Sequence, residues 1–244
     1  MVLRSCLSNW FPKVAATGVL VPDTVIVRTA ARLSEWVCGE ADDEVKASVD
    51  ALVNELTEAA WKVGGFPVFL RTGQTSAKHY WRDTCFVERA EDMASHVTQI
   101  ATFSEMVDLI GLPCDVWAVR RLIETKPAFE AFQGRMPIVR EFRAFVEGGR
   151  VHCVHPYWPR DSIREPSIKD WAEALSVMND PGQDAPMLAR IALHASKNLH
   201  GAWSVDMLFD AKGEIWVTDL ADAGSSWHWP ECRNASKWPR IIFE

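Results

Sequence analysis

The chain has 244 residues, 48% of them apolar and 24% charged, with a formal net charge of −7. That is enough apolar material for one large core or two small lobes. An acidic chain without a basic run is poorly suited to general phosphate-backbone binding of nucleic acid, although it leaves room for a local cationic pocket. Twelve tryptophans stand against two tyrosines, a make-up that serves cores, base stacking and interfaces equally well. Cys6, Cys38, Cys85, Cys114, Cys153 and Cys232 are scattered with no CxxC and no short Cys/His cluster, so neither a disulfide framework nor a zinc signature is expected. No stretch reaches the roughly 18–20 apolar residues that cross a membrane, and the start of the chain lacks a signal-peptide core. A reducing cytoplasm is the default compartment.

In chain order, residues 1–30 are mixed. Val19 to Val27 reads as a strand interrupted by Pro22, hence an edge strand or two short pieces, and the Asn9-Trp-Phe-Pro segment before it reads as packing. Ala41 to Lys62 predicts a helix. Asp42, Asp43 and Glu44 fall in its first turn, favourable for the helix dipole, Val45, Val49, Leu52, Val53, Leu56 and Ala60 recur at helical spacing, and Gly64-Gly65 stops it. Phe66 to Arg71 is a short buried strand ending in a cation and followed by Thr72-Gly-Gln-Thr-Ser-Ala-Lys78. Free amides and hydroxyls in that turn suit a triphosphate cradle, with Arg71 and Lys78 balancing the charge. The same residues equally suit a solvated basic turn, and the GxxxxGK[ST] spacing of a Walker loop is absent.

Glu91 to Leu109 predicts an amphipathic helix bent near Thr102-Phe103-Ser104, and Val116 to Glu124 a strand. Ile138 to Val146 alternates cleanly and turns at Gly148-Gly149 into Arg150 to His155, a hairpin. Glu141 and Arg143 share one of its faces, either as a surface ion pair or aimed at a ligand whose phosphate or carboxylate the arginine fork matches. After an irregular Pro156–Asp161 loop, two packing helices are predicted at Ile168–Met178 and Ala185–Leu199. His194, His200 and the pair His152/His155 lack ligand partners at metal spacing and read as structural, and no Ser/His/Asp or Cys/His nucleophile arrangement is present. The Ile241-Ile-Phe tail is predicted to add a strand or a clasp.

The stretch Ala202 to Trp229 carries the strongest chemistry. Trp203 to Phe209 and Glu214 to Leu220 form a hairpin around Asp210–Gly213. Phe209 then pairs with Glu214, Asp206 falls opposite Val217, and Asp206 shares a face with Asp219 one diagonal step away, about 7–8 Å. Two carboxylates at that distance suit magnesium, and Asp222 follows where the strand runs out. An acidic hairpin face is equally well a solvated surface.

Taken together, these parts resemble the ATP-grasp superfamily, whose two α+β lobes clamp ATP between antiparallel sheets. The resemblance runs over about residues 66–229 and rests on order and spacing. Its parts are Arg71 before the small-residue loop, the hinge strand Val116–Glu124, the strand beginning Arg140-Glu-Phe-Arg143, and the final hairpin. The chain is most similar to the phage-associated clade in which arginine replaces the first-strand lysine and whose last strand ends like Asp219-Leu-Ala-Asp222-Ala-Gly224. The resemblance implies an N-terminal region at 1–65 packed on the core, a small lobe with hinge at 66–125 and a C-terminal lobe at 126–244.

It further implies ATP and Mg2+ as cofactors and a ligase joining a carboxylate to an amine through an acyl-phosphate, with peptide or amino-acid substrates. Asp206, Asp219 and Asp222 would hold magnesium, Asp222 standing in for an asparagine usual at the position of Ala221. Arg71, Ser76 and Lys78 would meet the phosphates. Arg121, Leu122, Ile123 and Glu124 would take the adenine edge and ribose, with Arg120 or Arg121 replacing the usual hinge-strand lysine. Arg143 would stabilise the transferring phosphoryl group, oriented by Glu141. The implied partners are a small-molecule or peptide carboxylate and an amine, with no nucleic acid and no membrane, in the cytoplasm of a phage-infected bacterium. Two other classes stay open. One is a non-catalytic ATP-binding assembly factor, as in a eukaryotic branch of this superfamily that assembles a translation initiation factor. The other is a nucleic-acid module that stacks bases on tryptophans, which the lack of a basic groove disfavours.

Overall fold

The computed structural model of the protein describes residues 4–107 and 111–238. The end of the expected Glu91–Leu109 helix and the Ile241-Ile-Phe tail lie outside the described residues. The chain divides into two compact units, a larger one from Met1–Val21, Glu124–Glu130 and Pro137–Glu244, and a smaller one from Pro22–Ile123 and Ala131–Met136. The expected N-terminal region 1–65 is therefore split, because the strand after Val21 joins the sheet of the smaller unit.

The larger unit begins with helix α1 (Leu7–Ala15), which buries Leu7, Trp10, Phe11 and Val14. Those four positions form one helical face. Pro12 inside the helix removes one backbone donor, and that breaker signal hides the helix in the sequence.

In the smaller unit, strands β1 (Thr24–Arg28), β2 (Val68–Thr72), β3 (Phe86–Val87) and β4 (Val116–Arg121) form a sheet in the order β1-β4-β2-β3. The edge position of β1 agrees with Pro22 just before it. Strand β4 stops at Arg121, so Leu122 to Glu124 lie outside any strand, shorter than expected. Helix α2 (Leu33–Cys38) precedes α3 (Asp43–Lys62), whose N-cap Asp42 accepts a 2.8 Å hydrogen bond from the Val45 amide. Helix α4 (Met93–Glu105) completes the unit. Val27, Val68, Leu70, Val87, Trp117 and Val119 bury one sheet face against Val49, Leu52 and Leu56 of α3 and Val97 and Ile100 of α4. Strand alternation then puts Phe69, Arg71, Ala118 and Arg120 on the other face, and register pairs Arg71 with Ala118 and Phe69 with Arg120.

The larger unit continues with a small sheet of β5 (Phe129–Ala131) and β6 (Met136–Ile138), whose turn groups with the smaller unit. Its main sheet has the order β10-β9-β7-β8, from β7 (Glu141–Glu147), β8 (Arg150–Pro156), β9 (Trp203–Phe209) and β10 (Ile215–Asp222). Helices α5 (Trp171–Asn179) and α6 (Ala185–Ser196) lie between β8 and β9 in the chain, and α6 packs against all four strands. Phe142, Ala144, Val205 and Met207 are fully buried on one sheet face. The fold is α+β with antiparallel sheets, and among the described residues no helix is long and apolar enough to cross a membrane.

The last hairpin differs from the expected register. Phe209 pairs with Ile215, not Glu214, because Asp210 organises a longer loop. Its carboxylate accepts from the amides of Lys212 and Glu214 at 2.8 and 2.9 Å and from the Trp216 indole at 3.0 Å. That register alone would set Thr218 opposite Asp206. A bulge between Val217 and Asp219 takes up the extra residue, so Asp219 faces Asp206 directly instead of diagonally. Bulges commonly re-aim a side chain in this way.

Leu70 is fully buried at the centre of the smaller unit's core. Leu70→Ala is expected to cost about 2–5 kcal/mol of unfolding free energy, read from denaturant titration. The exposed α5 substitution Val177→Ala should stay within about 0.5 kcal/mol of wild type.

Candidate functional site

In the larger unit, the register lines up four side chains across the sheet, one per strand. His155 of β8 pairs with Arg143 of β7, Arg143 with Asp206 of β9, and Asp206 with Asp219 of β10. All four lie on the face opposite Phe142 and Met207. Arg143 clamps Asp206 through the Nε/Nη2 edge of its guanidinium, with Nε to Oδ1 at 2.6 Å and Nη2 to Oδ2 at 2.8 Å. The side chains are only 16% and 8% exposed, so this is a buried, bidentate, charge-assisted pair. Burial works against the Arg143 charge, but the charge and hydrogen bonds of Asp206 outweigh it and hold the guanidinium above its ordinary value. Arg143 also stacks 4.6 Å over Tyr157 and donates to the Trp227 carbonyl at 3.4 Å.

Asp219 accepts from the Leu220 amide at 3.0 Å, and Thr218, displaced by the bulge, donates to the Asp206 carbonyl at 3.3 Å. Glu141 is buried two residues before Arg143, on the same face of β7. Arg140, which the family pattern also includes, is occupied structurally. It donates to Asp184 at 2.7 Å and lies 4.1 Å over Phe209.

Asp222 is not brought to this row. Alternation from Asp219 turns it to the other face, where it ion-pairs with Arg4 and accepts from the Gly224 amide at 3.0 Å. Arg4 in turn donates to the Ala202 carbonyl at 2.8 Å and lies 4.6 Å over Trp203. Asp222 therefore ties the start of the chain to the end of β10.

In the smaller unit, Arg71 and Arg120 are 4% and 3% exposed and share the sheet face away from the core. Arg71 Nε donates to the Thr72 carbonyl at 3.0 Å, and Arg120 Nε to Thr24 Oγ1 at 3.2 Å. Arg121 alternates to the other side, is exposed, and pairs with Asp23 at 3.5 Å. Of the two hinge-strand arginines, Arg120 is thus the one placed beside Arg71. Five of the seven backbone amides from Thr72 to Lys78 are already taken within the turn and by β4. The amides of Gln74 and Thr75 go to Thr72 Oγ1 at 3.2 and 3.0 Å, that of Thr72 to the Thr75 carbonyl at 2.8 Å, and that of Gly73 to Val116 at 2.7 Å. The Ala77 amide goes to Thr75 Oγ1 at 3.2 Å. The turn presents side chains instead, with Ser76 and Lys78 half-buried. Leu122 and Ile123 are half-buried and Glu124 exposed, and the Glu124 carbonyl accepts from Ala211 at 2.8 Å.

The structure corrects one expectation outright. Cys153, His155, His228 and Cys232 do form a cluster, with ligand atoms within 4.8 Å of one another. Burial and the neighbouring His228 push His155 down to about 4, and burial with Cys232 beside it pushes the Cys153 thiol up to about 12. A signal existed in the sequence. Cys-x-His at 153–155 puts both side chains on one face of a strand, and His-x-x-x-Cys at 228–232 is a plausible second half of a ligand set.

A family model for an ATP-grasp domain, the third family of its clade, matches residues 62–239. Among solved structures, Cdc123 from Schizosaccharomyces pombe aligns with a TM-score of 0.53 at 12% identity, covering 90% of this chain and 83% of that one. A C-terminally truncated form of it gives 0.56 at the same identity and coverage. The ATP-complexed D-alanine–D-alanine ligase of Bacillus anthracis aligns at 0.45 and 12% identity, over 87% of this chain and 51% of the ligase. No curated protein resembles the chain closely enough to count as a match.

Because Asp206 is buried against Arg143, Arg143→Ala leaves an uncompensated buried carboxylate and is expected to cost about 3–5 kcal/mol of stability. Arg143→Ala combined with Asp206→Ala should cost less than the sum of the single changes. Denaturant titration of the four proteins of that double-mutant cycle measures the difference.

Proposed function

The chain belongs to the ATP-grasp domains, in the third family of its clade, and we propose that it is an ATP- and Mg2+-dependent ligase joining a carboxylate to an amine. The observation that carries this reading is the Arg143–Asp206–Asp219 row, one cation and two carboxylates in register on a single sheet face. An ionised carboxylate has roughly four lone-pair sites, so the two Arg143 bonds leave Asp206 able to bind further. Two opposed carboxylates fit Mg2+, which takes one or two such ligands plus substrate phosphates. When bound there, magnesium neutralises charge on the β- and γ-phosphates.

The remaining roles belong to the chain's own residues. Arg143 stabilises the transferring phosphoryl group, with Glu141 beside it on β7 orienting it. Arg71 on β2 and Arg120 on β4 balance the triphosphate charge, and Ser76 and Lys78 add donors from the turn. Leu122, Ile123 and Glu124 take the adenine edge and ribose. The substrate carboxylate oxygen attacks the γ-phosphorus and ADP leaves. The amine nitrogen then attacks the acyl carbon, phosphate departs, and the amine proton passes to water. Positioning and charge neutralisation suffice for this chemistry, which agrees with a site built from arginines and carboxylates. Amino acids or short peptides are the proposed carboxylate class.

A non-catalytic ATP-binding protein of the same fold is the second reading. It is favoured by the bidentate pair itself, because Arg143 already balances the charge of Asp206 without a metal.

Thermal-shift titration tests both readings. MgATP is expected to stabilise the wild type more than ATP with EDTA does, and Asp219→Asn should lose the magnesium-dependent part. Incubation with ATP, amino-acid and peptide carboxylates, and hydroxylamine as the amine then separates them. ADP with hydroxamate supports the ligase, whereas magnesium-dependent ATP binding without ADP from any pair supports the non-catalytic protein. No stabilisation at millimolar ATP would overturn both.

A further inference from the structure

We propose that Cys153, His155, His228 and Cys232 form a zinc site that fastens the segment after β10 onto β8. The four ligand atoms lie within 4.8 Å of one another. A tetrahedral site with bonds of about 2.0–2.3 Å needs ligand separations of about 3.3–3.8 Å, so small side-chain shifts close it. Cys153 and His155 alternate onto one face of β8, paired with Phe145 and Arg143 respectively. His228 and Cys232 come from the following tail, whose turn is closed by the Cys232 amide donating to the Trp229 carbonyl at 3.1 Å.

Three further features point to a ligand between these groups. His155 Nε2 is buried and has no hydrogen-bond partner among the described residues, an arrangement that costs free energy unless something fills it. His228 Nδ1 donates to the Trp229 carbonyl at 3.1 Å, which leaves Nε2 with its lone pair, 3.2 Å from Cys153 Sγ. Metal-bound histidines are commonly oriented by such a carbonyl. The Asn234 amide points at Cys232 Sγ at 3.4 Å, a donor that stabilises a thiolate.

Two sulfurs and two imidazoles in a compact set suit Zn2+ over magnesium or calcium, which prefer oxygen. Four protein ligands close the coordination sphere, so the site is structural, not catalytic. Phe145 stacks on Trp238 at 5.6 Å and lies 4.3 Å from His228, walling the cluster with apolar rings. The site also bears on the Arg143 row, since His155 is the direct strand neighbour of Arg143 and the Trp227 carbonyl accepts from it. Zinc would thus hold in place the segment that carries one of Arg143's partners.

The test uses the full chain, purified without a histidine tag under reducing, chelator-free conditions. Elemental analysis is expected to give about one zinc per chain. Cobalt titrated into zinc-stripped protein should give the visible bands of a tetrahedral thiolate site. Removal of zinc should lower the melting temperature, and re-addition should restore it. Cys232→Ser and His155→Asn should each weaken zinc binding by more than about 100-fold, the upper end of what losing a supporting group costs. They read the site separately, so misfolding of one leaves the other informative. Wild-type protein that carries no metal and takes up no cobalt, or a Cys153–Cys232 disulfide forming with zinc in excess, would overturn the proposal. So would stoichiometric zinc retained in both variants. None of these readouts depends on ATP, so failure here is distinct from failure of the ligase reading.

Discussion

The Arg143–Asp206 pair is the interaction on which the larger unit's chemistry depends. Two charges taken out of water on adjacent strands are tolerable only when each meets the other in good geometry, and the two bonds of 2.6 and 2.8 Å provide it. The pair also fixes register. A one-residue slip between β7 and β9 would carry the charges to the face of Phe142 and Met207, both fully buried, and bring those apolar groups out in exchange. Because β9 is shared, the same register sets which residue of β10 meets Asp206. The bulge at Thr218 then delivers Asp219.

Much of this was legible in the sequence wherever a periodic pattern decides the outcome. Helix α3 follows its apolar stripe and the acidic residues at its start, the Arg71 strand follows from a short apolar run, and both hairpins follow from strand-like runs joined by glycine-containing turns. The shared face of Asp206 and Asp219 was also legible, although for a reason the structure revises. The expected register was one residue out at the loop, and the bulge added one more. Two shifts restore the parity that sets the face, while changing a diagonal pair into a direct one.

What escaped the sequence depends on contacts between distant positions. Asp222 meets Arg4 across 218 positions, and no local pattern announces that a carboxylate in an acidic run has been taken by an arginine near the start of the chain. Cys153 and His228 are 75 positions apart, so the Cys-x-His and His-x-x-x-Cys halves are each too short to signal a site alone. Arg120 and Arg121 are adjacent and chemically alike. Only the sheet's faces tell the buried one beside Arg71 from the exposed one paired with Asp23. Strand β3, two residues long, is too short to carry a period at all.

One sheet face of the larger unit thus carries two chemistries in sequence across its strands. Hard oxygen donors sit on β9 and β10, nitrogen and sulfur donors sit on β8 and the tail, and Arg143 stands between them. The most direct measurement of the central claim uses Mn2+ in place of Mg2+, because its electron paramagnetic resonance signal reports binding without turnover. Tight Mn2+ binding that requires ATP and is lost in Asp219→Asn is the expected result. Mn2+ binding that is indifferent to ATP, or that persists at unchanged strength in Asp219→Asn, would contradict it.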